Sequence, residues 1–415
     1  RPYEAFAEEH DAAIVAVFET HPHADFASSH MEFYEKYGLP IYVNPKMQVD
    51  YPHHPLSDGE SVQIGQVTIE ALFTPGHSPD HNTYLLRDEE GHRSAVFTGD
   101  SLFVGDIGRP DLREGAGKIQ QQREDLAQQM YQTMRNVFRE LPDEVMVYPA
   151  HGKGSLCGKN MSSETYSTIG KERERNWALQ VDDEQTFVNS LLEGQPYIPK
   201  YFPYEVSVNA AGLKSLEASI NAIPRLTTDA ELDADTLIVD TRSSALYKQG
   251  HHTNAISIPD GNKFETWLGS LISPEETFYI MAQDEDQLTT VLYKAAKIGY
   301  EQLIKGALLA LDHLPVTSDE ANPDGIFEQP EAYTIVDVRD EQEVAGGKVF
   351  DNAINIPLNQ LRERASEVPK NKPIAVHCAG GYRSGIGASI LEGTLPDAEI
   401  HDISERIKDM EAYMQ

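Results

Sequence analysis

His21-Pro22-His23-Ala24-Asp25-Phe26 follows an apolar run at 14–18 and sets two imidazoles and a carboxylate within five positions. Imidazoles and carboxylates bind transition-metal ions, and a loop leaving a strand holds such groups rigidly at a sheet edge. The same pattern recurs downstream. Thr74-Pro75-Gly76-His77, Phe97-Thr98-Gly99-Asp100 and Pro149-Ala150-His151 each follow an apolar run, at 67–73, 95–97 and 145–148. A lone His is usually a surface or core group, but four donor-bearing loops in this order predict one metal site. His30, His53 and His54 lack such a setting and read as solvated. His81 lies close enough to His77 for a weaker link to the pocket.

The 415 residues, 40% of them hydrophobic, exceed one core and predict about two to four domains. A net charge of -33 disfavours nucleic acid and anionic membranes as partners. No apolar run approaches the ~20 residues of a membrane span, and nothing has the form of a signal peptide. Two Cys far apart make no disulfide framework, which favours a reduced, cytoplasmic setting. The chain opens at Arg1 without an initiating Met, and strands ahead of it are allowed for.

Three blocks are expected, at 1–205, 206–316 and 317–415. The first is strand-rich, with strands also at 41–43 and 83–86 and helices at 2–10, 164–180 and 183–192. It ends in a Pro-rich stretch at 195–203 that reads as a linker. The other two are an internal repeat. Leu237-Ile238-Val239-Asp240-Thr241-Arg242 recurs as Thr334-Ile335-Val336-Asp337-Val338-Arg339, and Asn254-Ala255-Ile256-Ser257-Ile258-Pro259 recurs as Asn352-Ala353-Ile354-Asn355-Ile356-Pro357. Near-equal offsets, 14 and 15 residues from the Asp to the Asn, predict two copies of one α/β unit with a parallel sheet.

The last block carries His377-Cys378-Ala379-Gly380-Gly381-Tyr382-Arg383-Ser384-Gly385. Glycines let backbone N–H groups curl around an anion, and the helix that follows adds its positive end. A thiol placed there is a nucleophile. The corresponding position in the middle block is about Ala282, followed by Asp284, Glu285 and Asp286, so that copy reads as inactive, a spacer or an assembly surface. Cys157, six residues after His151, reads either as a structural thiol or as one that handles sulfur near the metal.

From His21 to about Cys157 the sequence resembles the metallo-β-lactamase superfamily, and the 99–111 stretch resembles its persulfide dioxygenase branch. The resemblance implies an αββα sandwich with His21, His77 and Asp100 as iron ligands. His23, Asp25 and His151 would then orient the site or serve a second ion. The family motif is H-x-H-x-D-H, and Phe26 stands at its last position, which implies one ion per chain. Arg109 is implied to bind an anionic substrate, with an ion pair to Asp106 or Asp111 as the alternative. The Cys378 loop resembles the C-x-x-G-x-R-S loop of rhodaneses. This implies a persulfide on Cys378, N–H groups from Gly380 and Gly381 around it, Arg383 on an anionic acceptor or donor, and Ser384 bonded within the loop.

Together these resemblances imply a metallo-β-lactamase-like domain followed by two rhodanese-like α/β domains with parallel sheets. The implied enzyme is an Fe(II) persulfide dioxygenase coupled to a thiosulfate-forming sulfurtransferase. Dioxygen is the co-substrate, a low-molecular-weight thiol persulfide such as that of glutathione is the substrate, sulfite is the intermediate, and a homo-oligomer is allowed. The alternatives are a glyoxalase II-like thioester hydrolase and a non-catalytic persulfide carrier or sensor.

Overall fold

Strand Val67–Phe73 shows how the first half of the molecule is layered. In a strand, alternate side chains point to opposite faces. Ile69 and Ala71 meet Leu56, Tyr84, Phe18 and Tyr42 on one face, while Leu72 packs on the other against a cluster containing Val96, Val147, Met130 and Phe187. The computed structural model describes residues 2–114, 122–227, 230–311, 313–319 and 321–410. They form two compact units, Arg1–Leu216 and Glu217–Gln415.

The first unit has a six-stranded mixed sheet in sequential order, from Ser61–Ile64 through Val67–Phe73, Asn82–Arg87, Arg93–Gly99 and Met146–Pro149 to Ser167–Thr168. A three-stranded parallel sheet of Val17–Phe18, Ile41–Val43 and His54–Pro55 faces it. Helix His30–Tyr37 covers the outer side of the small sheet through Met31 and Tyr34. Helices Arg123–Asn136, Ile169–Arg175, Trp177–Gln180 and Glu184–Leu192 cover the large one. The result is the expected αββα order.

Several sequence expectations change. The helix read across 164–180 is two helices, broken at Asn176. Its Nδ2 donates to the Phe103 and Asp106 carbonyls, and its Oδ1 accepts from Ala178 N–H and caps the second helix. Helix Arg123–Asn136 was not anticipated, although Leu126, Met130 and Met134 repeat every four residues and are all buried. The 195–203 stretch is not a free linker. Pro199 is buried, and the chain enters helix Tyr201–Ala211, whose Tyr201, Phe202 and Val206 are buried within the first unit.

The second unit holds both copies of the repeat. Each is a four-stranded, all-parallel sheet whose second strand in the chain lies at one edge. One runs Ala255–Ser257, Leu237–Asp240, Phe278–Ala282, Ile304–Leu309, and the other Ile354–Asn355, Thr334–Asp337, Ile374–His377, Ile400–Asp402. The Asp-x-Arg motifs do the same work in both. Arg242 grips Asp240 and donates to Gly250 O at 2.7 Å, and Arg339 grips Asp337 and donates to Gly347 O at 3.1 Å. Each pair fastens the turn after the following helix to the strand end.

Candidate functional site

Four strand ends deliver the donors of the first unit to one buried place. His77 Nε2 lies 3.5 Å and His21 Nε2 4.0 Å from Asp100 Oδ2, and one ligand atom from each of the three lies within 4.8 Å of the others. The tautomers are set from behind. His77 Nδ1 donates to Arg109 O at 2.8 Å, which leaves Nε2 as a lone pair. His21 Nδ1 is 3.0 Å from Thr20 Oγ1. His81 joins Thr74 Oγ1 at 2.8 Å and accepts the Asp100 N–H at Nε2, 3.2 Å away. His81 therefore fixes Asp100, a role its spacing from His77 only hinted at.

Glycines make the crowding possible. A Cβ on Gly99 would lie 2.6 Å from His81 Nε2, and one on Gly108 would lie 2.8 Å from His77 Nδ1. His21 Nε2 and both Asp100 carboxylate oxygens are buried without a hydrogen-bond partner among the described residues. Burying such atoms unpaired is costly unless something binds them. Donors of this type aimed at one another fit a metal ion, and two imidazoles with one carboxylate suit iron with open positions. Burial holds the His21 and His77 imidazoles neutral, well below the usual range for His21 and lowered for His77. Burial works to raise the Asp100 carboxyl, but the His151 and His77 imidazoles outweigh it and hold it well below the carboxylate range.

A second donor group shares Asp100. His23, Asp100 and His151 also bring ligand atoms within 4.8 Å of one another. His151 Nε2 lies 3.3 Å from both Asp25 Oδ2 and Asp100 Oδ1. Phe26 packs on His23 with centroids 4.2 Å apart and ring planes tilted by 30°, and faces His151 edge-on at 6.1 Å. Phe26 offers no donor at the last motif position, while His23, Asp25 and His151 stand around Asp100.

Two other expected residues have different tasks. Arg109, 1% exposed, pairs with Asp111 at 2.7 Å through both Nε and Nη2 and donates to Leu156 O at 3.2 Å. It is a buried strut whose carbonyl orients His77, and its guanidinium makes the Asp111 ion pair that was the alternative. Cys157 is buried with Asp25 and His151 near its Sγ. Burial, with the Asp25 and Asp100 carboxylates, pushes its thiol up. Asn209 escaped the sequence reading. Its Nδ2 donates to His23 O at 2.8 Å and Phe26 O at 2.7 Å, and its Oδ1 accepts from Ser28 N–H at 2.8 Å.

In the second unit, Cys378 follows strand Ile374–His377 and precedes helix Tyr382–Thr394. The Gly380 and Gly381 N–H groups donate to Sγ at 3.4 and 3.1 Å. Gly381 has φ +99°, and a Cβ there would lie 2.6 Å from Glu405 N, so no other residue fits. Ser384 Oγ donates to Gly381 O at 3.0 Å and closes the turn. Arg383 is already engaged, with Glu343 at 2.5 and 2.8 Å. Strand register sets Met281 beside Asp240 as His377 stands beside Asp337, so Ala282 occupies the place of Cys378.

Residues 2–151 match the model of the metallo-beta-lactamase superfamily, and residues 324–411 match that of the rhodanese-like domain. The chain joins a metallo-beta-lactamase superfamily domain to a rhodanese-like domain. Over 130 residues it is 31% identical to the mitochondrial persulfide dioxygenase ETHE1 of Bos taurus, covering 31% of this chain and 42% of that protein. Over 149 residues it is 34% identical to the cytoplasmic hydroxyacylglutathione hydrolase of Arabidopsis thaliana, covering 35% and 53%. The chain thus spans about half the length of these curated relatives. The crystal structure of a metallo-beta-lactamase from Staphylococcus aureus superposes with TM-score 0.63 at 28% identity, covering 74% of this chain and 88% of that one. Coverage of 74% exceeds the share held by Arg1–Leu216, so the similarity reaches into the second unit. No helix among the described residues is long and apolar enough to cross a membrane.

Proposed function

We propose that the metallo-beta-lactamase domain is an Fe(II) persulfide dioxygenase and that the rhodanese-like domain passes sulfane sulfur to its product. The observation that carries this reading is the coexistence, on one chain, of the clustered His21, His77 and Asp100 donors, with His21 Nε2 and the Asp100 oxygens unpartnered, and the Cys378 loop. Iron held by those three residues supplies the redox chemistry by which persulfide, dioxygen and water give thiol, sulfite and protons. The protein's part is to fix the donors. Arg109 O and Thr20 hold the two imidazoles, and His81 holds Asp100. Burial works against a charge on His151, but Asp100 and Asp25 outweigh it, so its Nε2 keeps a proton between the two carboxylates.

At Cys378 the two glycine N–H groups hold the sulfur that accepts a sulfane atom. Transfer of that atom to sulfite breaks the S–S bond, forms thiosulfate and returns the thiol. Both reactions are set in the cytoplasm, with a glutathione-like persulfide as substrate.

The hydroxyacylglutathione hydrolase reading is favoured by one observation, the His23, Asp100 and His151 group that completes a second donor set. Metal content and oxygen uptake separate the two. About one iron per chain with rapid oxygen consumption on glutathione persulfide supports the dioxygenase. Two zinc ions with thioester hydrolysis and no oxygen uptake reverse the ranking. Cys378→Ser is expected to abolish thiosulfate and spare sulfite; loss of both would merge the two reactions at one thiol. A carrier without catalysis would show neither product.

A further inference from the structure

The repeat that lacks the thiol touches the loop that has it. Tyr382, next to Gly381, donates its hydroxyl to Pro259 O of the inactive copy at 2.8 Å, and Cε2 of its ring would lie 4.0 Å from a Cβ on Gly261. Burial, with the Asp260 and Glu265 carboxylates nearby, pushes the Tyr382 phenol up, so the hydroxyl stays a donor at neutral pH. The acceptor is itself fixed. Ile258 N–H bonds Asp240 O and Asp260 N–H bonds Thr241 O, both at 2.9 Å, while Lys294 spans Asp260 at 2.5 Å and Gly261 O at 3.0 Å.

A second tie reaches the other side of the same glycine. Gly381 packs on the backbone of Ser404 and Glu405, where a Cβ would meet Ser404 C at 2.8 Å. Ser404 holds φ +56°, a left-handed conformation that costs a residue with a side chain. Lys248 of the inactive copy secures it, donating to Ser404 Oγ at 2.9 Å and to Asp402 Oδ2 at 2.8 Å. Both ties thus converge on Gly381, the closer of the two N–H donors to Cys378 Sγ. A Gly-Gly turn is otherwise free to relax, because glycine restricts the backbone least.

We propose that the inactive repeat holds the Cys378 loop in its sulfur-binding shape, with Tyr382 and Lys248 as positioning residues. It is neither a spacer nor a vestige. This deepens the reading of Cys378 as the sulfur-transfer thiol and rests on it. Neither residue touches the sulfur; each acts by keeping the Gly381 N–H aimed at it.

The test uses the iron-loaded full chain with Tyr382→Phe, which keeps the ring, and Lys248→Met, which keeps the length. Lys305→Met, which breaks a Lys305–Asp233 pair within the inactive copy, is the control. Iodoacetamide alkylation of Cys378 is followed against pH by peptide mass spectrometry, beside kcat and KM for sulfur transfer from glutathione persulfide to sulfite. Both variants should slow alkylation of Cys378 at neutral pH about three- to tenfold, the effect of one weakened hydrogen bond to its sulfur. kcat should fall with KM and metal-site oxygen uptake unchanged. Folded variants that keep the wild-type alkylation profile and kcat overturn the proposal, as does an equal shift in Lys305→Met. If the wild-type chain transfers no sulfur at all, the functional reading fails, and the alkylation profile still decides the positioning role.

Discussion

Arg383 follows the Cys378 loop, yet its guanidinium is held by Glu343 at 2.5 and 2.8 Å, with Asp340 3.9 Å away. On the proposed reading, an incoming sulfite competes with those carboxylates. The competition is affordable because the pair is partly open to water, where exposed ion pairs contribute only about 0–1 kcal/mol. Glu343→Gln keeps the shape and removes the charge, so Arg383 is expected to turn more readily to the acceptor. The KM for sulfite should fall about two- to fivefold with kcat nearly constant, as steady-state thiosulfate formation will show. An unchanged or raised KM would mean that Arg383 serves the fold through Glu343 and does not meet the acceptor. Arg109 makes the contrast: its guanidinium is 1% exposed and already paired with Asp111.

Helix Tyr201–Ala211 carries the clearest lesson about elements. It lies some 180 residues beyond the metal loop, yet Asn209 ties down that loop at His23, Phe26 and Ser28. Removing the side chain strands the buried His23 carbonyl and Ser28 N–H and the part-buried Phe26 carbonyl, at up to about 1–3 kcal/mol for each unsatisfied group. Asn209→Ala is therefore expected to lower the melting temperature and to release metal about 10–100-fold more readily to a chelator. Asn209→Asp keeps the acceptor for Ser28 N–H but sets a buried carboxylate oxygen against the two carbonyls, and should cost at least as much. Metal retention like wild type in Asn209→Ala would show that the loop holds itself. Local chemistry was legible in the sequence: His21, His77 and Asp100 were found because each follows an apolar strand, and the Cys378 loop because glycines surround it. The tertiary supports were not. Asn209 carries no spacing signal, the short strands His54–Pro55 and Ser61–Ile64 are largely exposed, and the Pro-rich run before Tyr201 resembles a linker until its burial is seen.

At the scale of the whole molecule the two units differ in how they meet acid. In the first, burial holds His23 and His30 down to about 4 and His81 to about 3, from an ordinary value of 6.5. A depressed imidazole stays neutral in the folded state while the unfolded chain takes up a proton. Its stabilisation is complete above 6.5 and is lost as the pH falls from 6.5 toward 4. Glu19, pushed up to about 7 by burial, acts in the opposite sense and strengthens the fold as the pH drops from 7 to 4.5. His21 and His77 are lowered too, while His151 is raised and acts with Glu19, so five lowered imidazoles against one raised imidazole and one carboxyl leave a net loss. In the second unit, burial lowers His377 to about 4 and raises Glu392 to about 7, and the two roughly cancel; His251 and His252 are lowered, while Glu301 and Asp340 are raised. The chain's two tryptophans allow the comparison, since Trp177 lies in the first unit and Trp267 in the second. Trp177→Phe and Trp267→Phe each leave one reporter. Between about pH 7.5 and 5, the unit reported by Trp177 should lose about 1–2 kcal/mol per uncompensated imidazole and melt at least about 5 °C lower. Metal binding acts with the same sign, because its imidazole ligands must stay neutral. The unit reported by Trp267 should hold its midpoint. A fall of equal size in both reporters would trace the acid response to the shared charge of -33 instead of to the buried imidazoles around the metal.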